Sequence, residues 1–475
     1  MYFNSLVFFA FLPLFLICFF STRGQVRLLV SLIGSYVFYG WWDVRFLSLI
    51  LLSTMIDYFI GLRLGSAENP NVRRKWLWAS LISNLGILFA FKYFNFFRDS
   101  LVDAFASVGM QLDAPTINII VPVGISFYTF QTLSYTIDIY LKHIRAEPSF
   151  LRFAVFVSFF PQLVAGPIVR ASDFLPQLYR DRPLLWRNCV TGGTQIMMGF
   201  VKKCVIADSL APFIDVAFEN PEARTSITLI LAVIFYAFQI YCDFSGYSDI
   251  AIGMARVMGY HFPSNFRRPY FADSFSEFWQ RWHISLSSWL RDYLYIPLGG
   301  NRKGKTRTYI NLMLTMLIGG LWHGAAWTFV IWGGLHGLYL VLQRLLSAGI
   351  VKLGGGRINN NIVFRFACGI CVFSLVCLAW IFFRAQSLEG AVAMITGIFR
   401  FHGMTPGAVQ NQVIAFKGIA LILGLVACEA ASGWIRPQAR CLVSPIFMVA
   451  YFVTLAWIIV WFGMFDNSPF IYFQF

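Results

Sequence analysis

Hydrophobic residues along this chain gather in long runs separated by short polar breaks. The runs fall at roughly 5–21, 28–40, 46–65, 76–97, 117–141, 150–168, 192–213, 226–256, 309–320, 325–346, 361–383, 413–433 and 445–465. A helix needs about 20 apolar residues to cross a bilayer. Several runs are shorter than that or are broken by Gly or Pro. The pattern therefore predicts about eleven spans plus re-entrant pieces, which are tolerated only where protein or a cavity shields the backbone. The expected architecture is an all-α polytopic membrane protein, one domain over 1–475. The first run, Leu6–Phe20, has no basic flank before it and no small-residue cleavage site after it, and reads as an uncleaved span.

The longest polar stretch, 261–308, departs from this pattern. Within it Phe278, Trp282, Leu286, Trp289 and Tyr293 recur at intervals of three or four. That spacing predicts an amphipathic helix from Phe275 to Leu294, lying at the membrane interface and ended by Pro297, Gly299 and Gly300.

Composition agrees with a lipid-embedded chain. Hydrophobic residues make up 58% and charged residues 12%, about half the charged share of a soluble domain. The net charge of +15 is carried by loops between the runs: Arg23 and Arg27, then Arg73, Arg74 and Lys75, then Arg302, Lys303, Lys305 and Arg307. Positive loops stay on the cytoplasmic side; placing the first two there puts the N-terminus outside. No basic helix carries interleaved stacking aromatics, so nucleic acid is not expected as a partner. Cys368 and Cys371 form a lone pair in an apolar run with no nearby His. They read as apolar filler, and no metal site is expected.

Six histidines are the candidates for proton transfer near neutral pH. His323 sits in Ile318-Gly319-Gly320-Leu321-Trp322-His323-Gly324, an otherwise uncharged apolar segment. Ionisable groups are costly there and mark substrate paths. Gly319, Gly320 and Gly324 would let a backbone or a ligand approach closely. The other reading is a histidine satisfied by a neighbouring helix carbonyl. His283 lies on the amphipathic helix beside Arg281, where it either faces headgroups or serves the reaction. His336 follows His323 by thirteen residues, about 220° round on one continuous helix, and reads as packing. Asp243 and Asp249 flank Ser245-Gly246-Tyr247-Ser248, and hydrogen bonding between helices is the expected use. Gly299 to Thr306 fits the phosphate-loop spacing, but no strand precedes it, so it reads as a basic turn. A middle reading lets its amides and cations meet the phosphates of an acyl donor.

The stretch Glu277-Phe278-Trp279-Gln280-Arg281-Trp282-His283-Ile284-Ser285-Leu286-Ser287-Ser288-Trp289-Leu290-Arg291-Asp292-Tyr293-Leu294-Tyr295 resembles the signature of the membrane-bound O-acyltransferase family, in its alginate O-acetylation branch. Further segments agree in order: Pro122 to Tyr128, Phe160 to Pro167, Asp243 to Asp249, Leu298 to Gly304 and Gly319 to Gly324. The resemblance implies a ring of transmembrane helices around a central funnel, with 116–340 as the catalytic core. It implies acetyl-CoA as acyl donor from the cytoplasm and a polysaccharide acceptor beyond a bacterial inner membrane. It also implies a separate periplasmic SGNH or esterase-like acetyltransferase partner. Carried over by position, His323 matches the family's essential histidine and His283 the second histidine of the bacterial branch. Arg281, Asn301, Arg302 and Trp322 are the accompanying candidates for substrate contact. The short ending Ser468 to Phe475 is similar to exopolysaccharide and peptidoglycan acetylation members, whereas alginate-type relatives often continue further. A transporter or channel with no covalent step is the competing class, because broken helices and midplane polar groups suit it too.

Overall fold

The computed structural model describes residues 1–113, 115–116, 122, 124–163, 166–352, 361–434, 445–465 and 470–471. Val123, Val164 and Ala165 of the quoted motifs, and Ser468, Pro469 and 472–475 of the ending, lie outside them. Among the described residues every regular element is helical.

Six helices there are long and apolar enough to cross a membrane: Arg45–Ser66, Pro70–Ser107, Ser226–Val257, Trp327–Ser347, Ile362–Arg384 and Gln412–Ala431. Leu6–Ser21, Leu388–Phe399 and Met448–Phe462 are apolar but shorter. The difference from about eleven expected spans has local causes. The 150–168 run is broken at Phe159 into the nine-residue helix Phe150–Ser158 and the four-residue helix Phe160–Leu163. Phe153 through Ser158 are wholly buried, so this run is apolar to fill protein interior. The 192–213 run is Trp186–Phe200, then a widened π-helical stretch Val201–Ala207 carrying Lys202 and Lys203, then Asp208–Glu219.

The chain forms two compact units, Met1–Gly193 with Ala251–Pro263, and Thr194–Ile250 with Ser264–Phe475. In the first, polar side chains bind helices together. Buried Asp57 accepts from Ser80 Oγ at 2.8 Å and from Asn84 Nδ2 at 2.9 Å, while Ser80 also meets Thr136 Oγ1 at 2.9 Å. Such buried hydrogen bonds fix neighbouring helices where lipid supplies no partner. Arg73 of the second basic loop donates to the carbonyls of Leu64 and Ile139, both at 2.8 Å. It thereby satisfies the C-terminal ends of Arg45–Ser66 and Ile125–Tyr140, where a cation is favoured.

The second unit is built on aromatics, with Trp282, Trp332 and Trp380 among its fully buried side chains. Its helical hairpin Gly304–His323 and Trp327–Lys352 crosses backbone to backbone. A Cβ on Gly320 would stand 2.3 Å from the Phe329 carbonyl oxygen, and one on Gly333 would stand 2.3 Å from that of Met316. Only glycine allows that approach.

The expected amphipathic helix is two short helices, Phe275–Arg281 and Ile284–Leu290, followed by a π-helical stretch Arg291–Tyr295. His283 breaks it with φ +42°. Its aromatic stripe is buried in protein: Phe278, Trp282, Leu286 and Trp289 have 7% exposure or less. A protein core and a bilayer select the same stripe, so the spacing alone did not say which covers it.

Candidate active site

The geometry of the site follows from the break at His283. Its left-handed backbone turns the chain between two helices and aims the imidazole inward, fully buried. Asn265 holds it there. Asn265 Oδ1 lies 3.1 Å from His283 Nδ1 and accepts from the Ser285 backbone N–H at 3.2 Å and from Ser285 Oγ at 2.9 Å. Its Nδ2 donates to Ser248 Oγ at 3.1 Å, and its carbonyl accepts from Ile284 N at 2.9 Å. The Ser285 amide can only donate, so the Asn265 atom facing it is oxygen, and His283 Nδ1 meets that oxygen as N–H. Nε2 then carries the lone pair. Phe244 stands edge-on at 4.6 Å and Trp322 at 6.1 Å. Burial pushes this imidazole down to about 3, so it is neutral at physiological pH.

His323 is the last residue of its helix, and Gly324 leaves the helix in extended conformation. Trp322 and Trp332 each stand 5.0 Å away, and Phe383 at 5.4 Å. The two imidazoles are 6.4 Å apart, centre to centre. His323 keeps 4% of its surface exposed, and His283 none. Two neighbouring imidazoles in an aromatic lining offer a proton acceptor and a hydrogen-bonding group to a substrate lying beside them.

Trp322 belongs to this cluster. The other three candidates do not touch it. Arg281 pairs with Glu277 one turn back and donates to the Arg268 carbonyl at 3.4 Å. Asn301 and Arg302 sit on the exposed turn before Gly304, where Asn301 meets Tyr295 and Arg344. The whole twenty-residue helix Gly304–His323 separates that turn from His323, about 30 Å at 1.5 Å per residue. No strand precedes the turn, as expected of a basic turn rather than a nucleotide-hydrolysing loop.

His336 is nearer than its spacing implied. The helix stops at His323 and restarts at Trp327, so continuous-helix geometry does not apply. Trp332 is shared between them, 5.0 Å from His323 and 4.9 Å from His336. His336 is wholly buried, and among the described residues neither ring nitrogen has a hydrogen-bond partner. Asn265 and Trp332 escaped the sequence reading because Asn265 stands eighteen residues before His283 and Trp332 meets His323 across the break between two helices.

The acidic residues of 243–249 do tie helices together. Asp249 accepts from Gln195 at 2.9 Å and from Lys202 at 2.7 Å. Buried Lys203 lies 2.8 Å from both Asp208 and Asp243, and Asp243 also accepts from the Ile471 backbone at 2.8 Å.

Comparison with known proteins gives this cluster its setting. A probable alginate O-acetylase of Pseudomonas aeruginosa is 45% identical over 405 residues, covering 84% of this chain and 75% of that protein. One from Pseudomonas putida is 39% identical over the full length of both. A peptidoglycan O-acetyltransferase of Helicobacter pylori is 36% identical over 87% of this chain and 82% of its own. Residues 128–378, just over half of the chain, match the membrane-bound O-acyltransferase family. That segment contains both imidazoles and the helices that carry them. The chain is therefore a multi-pass membrane enzyme, an O-acyltransferase that belongs to the membrane-bound O-acyltransferase family.

Proposed function

We propose that this enzyme transfers an acetyl group from cytoplasmic acetyl-CoA for O-acetylation of an extracytoplasmic polysaccharide. The carrying observation is the His283–His323 pair, 6.4 Å apart and lined by Trp322 and Trp332. His323 is the general base. It takes the proton of an incoming hydroxyl as the oxygen attacks the thioester carbonyl. When the tetrahedral intermediate collapses and the C–S bond breaks, the same proton passes to the leaving thiolate. His283, neutral and with its Nδ1–H committed to Asn265, offers Nε2 as an acceptor. It therefore orients an N–H or O–H of substrate and does not neutralise the developing oxyanion. Trp322 packs the reacting groups. Arg281 is engaged by Glu277 and the Arg268 carbonyl, Asn301 and Arg302 lie a whole helix away from His323, and the exposed turn with Asn301 and Arg302 suits the donor's phosphates at the point of entry.

The relatives' names support alginate or a similar exopolysaccharide as final acceptor. Peptidoglycan is the second reading, supported by the Helicobacter relative. The immediate acceptor is a hydroxyl of a periplasmic SGNH or esterase-like partner. The enzyme sits in the bacterial inner membrane, its N-terminus on the periplasmic side. General-base assistance contributes about 10²–10⁴-fold. Purified His323→Ala should therefore lose acetyl transfer from radiolabelled acetyl-CoA by that factor while still inserting into the membrane. Undiminished transfer in that variant would remove His323 from the mechanism; export of acetyl groups without thiol release by the wild type would instead favour the transporter class.

A further inference from the structure

Away from the histidines, the first unit contains a cavity of about 300 Å³. One wall is the start of Trp186–Phe200, contributing Arg187, Asn188 and Thr191. The other is the end of Ser226–Val257 and the turn after it, contributing Arg256, Tyr260 and His261. The walls are fixed against each other. A Cβ on Gly192 would stand 2.6 Å from the Gly253 carbonyl oxygen, and Gln177 clamps the His261 backbone with bonds of 2.8 and 3.0 Å.

The cavity carries unbalanced positive charge. Among the described residues, neither Arg187 nor Arg256 has a carboxylate within 4.0 Å. Arg182 adds a third guanidinium, 6.0 Å from the Tyr260 ring centre. Asp181, beside Arg182, faces Arg27 at 3.8 Å and accepts from Gly24 N at 2.9 Å. The Thr191 hydroxyl donates to the Arg187 carbonyl at 2.8 Å, so the two guanidiniums and the Asn188 amide make up the donor set, of the kind that phosphate oxygens take up. Basic pockets between membrane helices bind anionic headgroups on the same principle.

What precedes Arg187 decides between a lipid and a soluble phosphate. Leu184, Leu185 and Trp186 are exposed by 58%, 49% and 78%. Three consecutive exposed apolar side chains that lead directly into Arg187 offer a seat for acyl chains, and Trp is the residue of membrane interfaces. We propose that this cavity binds the phosphate headgroup of an anionic phospholipid, with the tails lying over Leu184–Trp186. The site is independent of the acetyl-transfer chemistry and is testable without it.

Full-length protein reconstituted into phosphatidylglycerol–phosphatidylcholine nanodiscs, then returned to detergent, is examined by native mass spectrometry for retained phosphatidylglycerol. Each lost charge-assisted contact weakens binding about tenfold. Wild type should therefore retain phosphatidylglycerol over phosphatidylcholine, and R187Q/R256Q should retain at least tenfold less. R187K/R256K keeps the charge without the fork and should fall between them, which separates loss of the site from loss of the fold. Equal retention by wild type and R187Q/R256Q overturns the proposal. Arginine-dependent binding of inorganic pyrophosphate with no arginine-dependent lipid overturns the lipid assignment in favour of a soluble phosphate.

Discussion

The hairpin that ends in His323 provides a test in which one methyl group is the perturbation. In Gly320→Ala the new Cβ would stand 2.3 Å from the Phe329 carbonyl oxygen and 3.1 Å from Gly333 Cα. Carbon rests against a carbonyl oxygen at about 3.3–3.6 Å, so the helices must part by about 1 Å. Both atoms are backbone and cannot swing away as a side chain could. Forcing such a crossing open costs roughly 1–3 kcal/mol, and the roughly 1 kcal/mol favouring Ala over Gly in a helix offsets only part of it. His323 lies one turn further along the same helix. A misplacement of about 1 Å at a reacting group costs on the order of 10²-fold in rate. Gly334→Ala is the control, because its Cβ would meet only Leu317 Cδ2, at an ordinary 3.5 Å. Thermal midpoint and acetyl transfer from acetyl-CoA are measured on both variants in one detergent. Gly320→Ala should lose about 10²-fold in turnover and melt lower, while Gly334→Ala keeps both properties. If the two behave alike, the close crossing does not place the imidazole.

Two further outcomes follow from buried charge. Lys203→Met leaves Asp208 and Asp243 without the ammonium that now lies 2.8 Å from each; removing one partner of a buried pair costs about 3–5 kcal/mol. Little folded protein should be recovered, and a melting midpoint equal to wild type would refute the estimate. His283 is neutral when folded, with its pKa held near 3, whereas an unfolded histidine titrates near about 6.5. Between those values the unfolded chain binds the extra proton, so stability falls as pH drops through that window, by about 1.4 kcal/mol per pH unit for this group. Melting curves from pH 7 down to 4 should show a shallower decline in His283→Asn; parallel declines would refute burial of the ring.

Much of this molecule was legible from residue order alone, for identifiable reasons. Long apolar runs such as 46–65 and 361–383 correspond within a residue or two to Arg45–Ser66 and Ile362–Arg384. A lipid-facing helix is apolar throughout its length, which leaves little ambiguity. The same reasoning failed at 150–168, because an interior segment is equally apolar and only its packing distinguishes it. His323 and His283 could be singled out because ionisable groups are rare in such surroundings. Their convergence could not, since His323 comes forty positions after His283, at the far end of the helix Gly304–His323. Asn265 carries no local signal at all. Its role exists only because the chain returns at Ser285 to share its oxygen. His336 was set aside on a helix assumed to be continuous, and the interruption between His323 and Trp327 removes that premise.

The positive φ at His283 has a bearing on how its chemistry can be dissected. Left-handed backbone costs most residues about 1–2 kcal/mol, and Asn tolerates it better because its short amide bonds locally. Truncation to Ala or Val would therefore unwind the bend and remove the imidazole in one stroke. The measured loss would mix a misdirected main chain with a missing hydrogen-bond acceptor. Asn leaves the corner intact, so whatever activity disappears with it belongs to the ring.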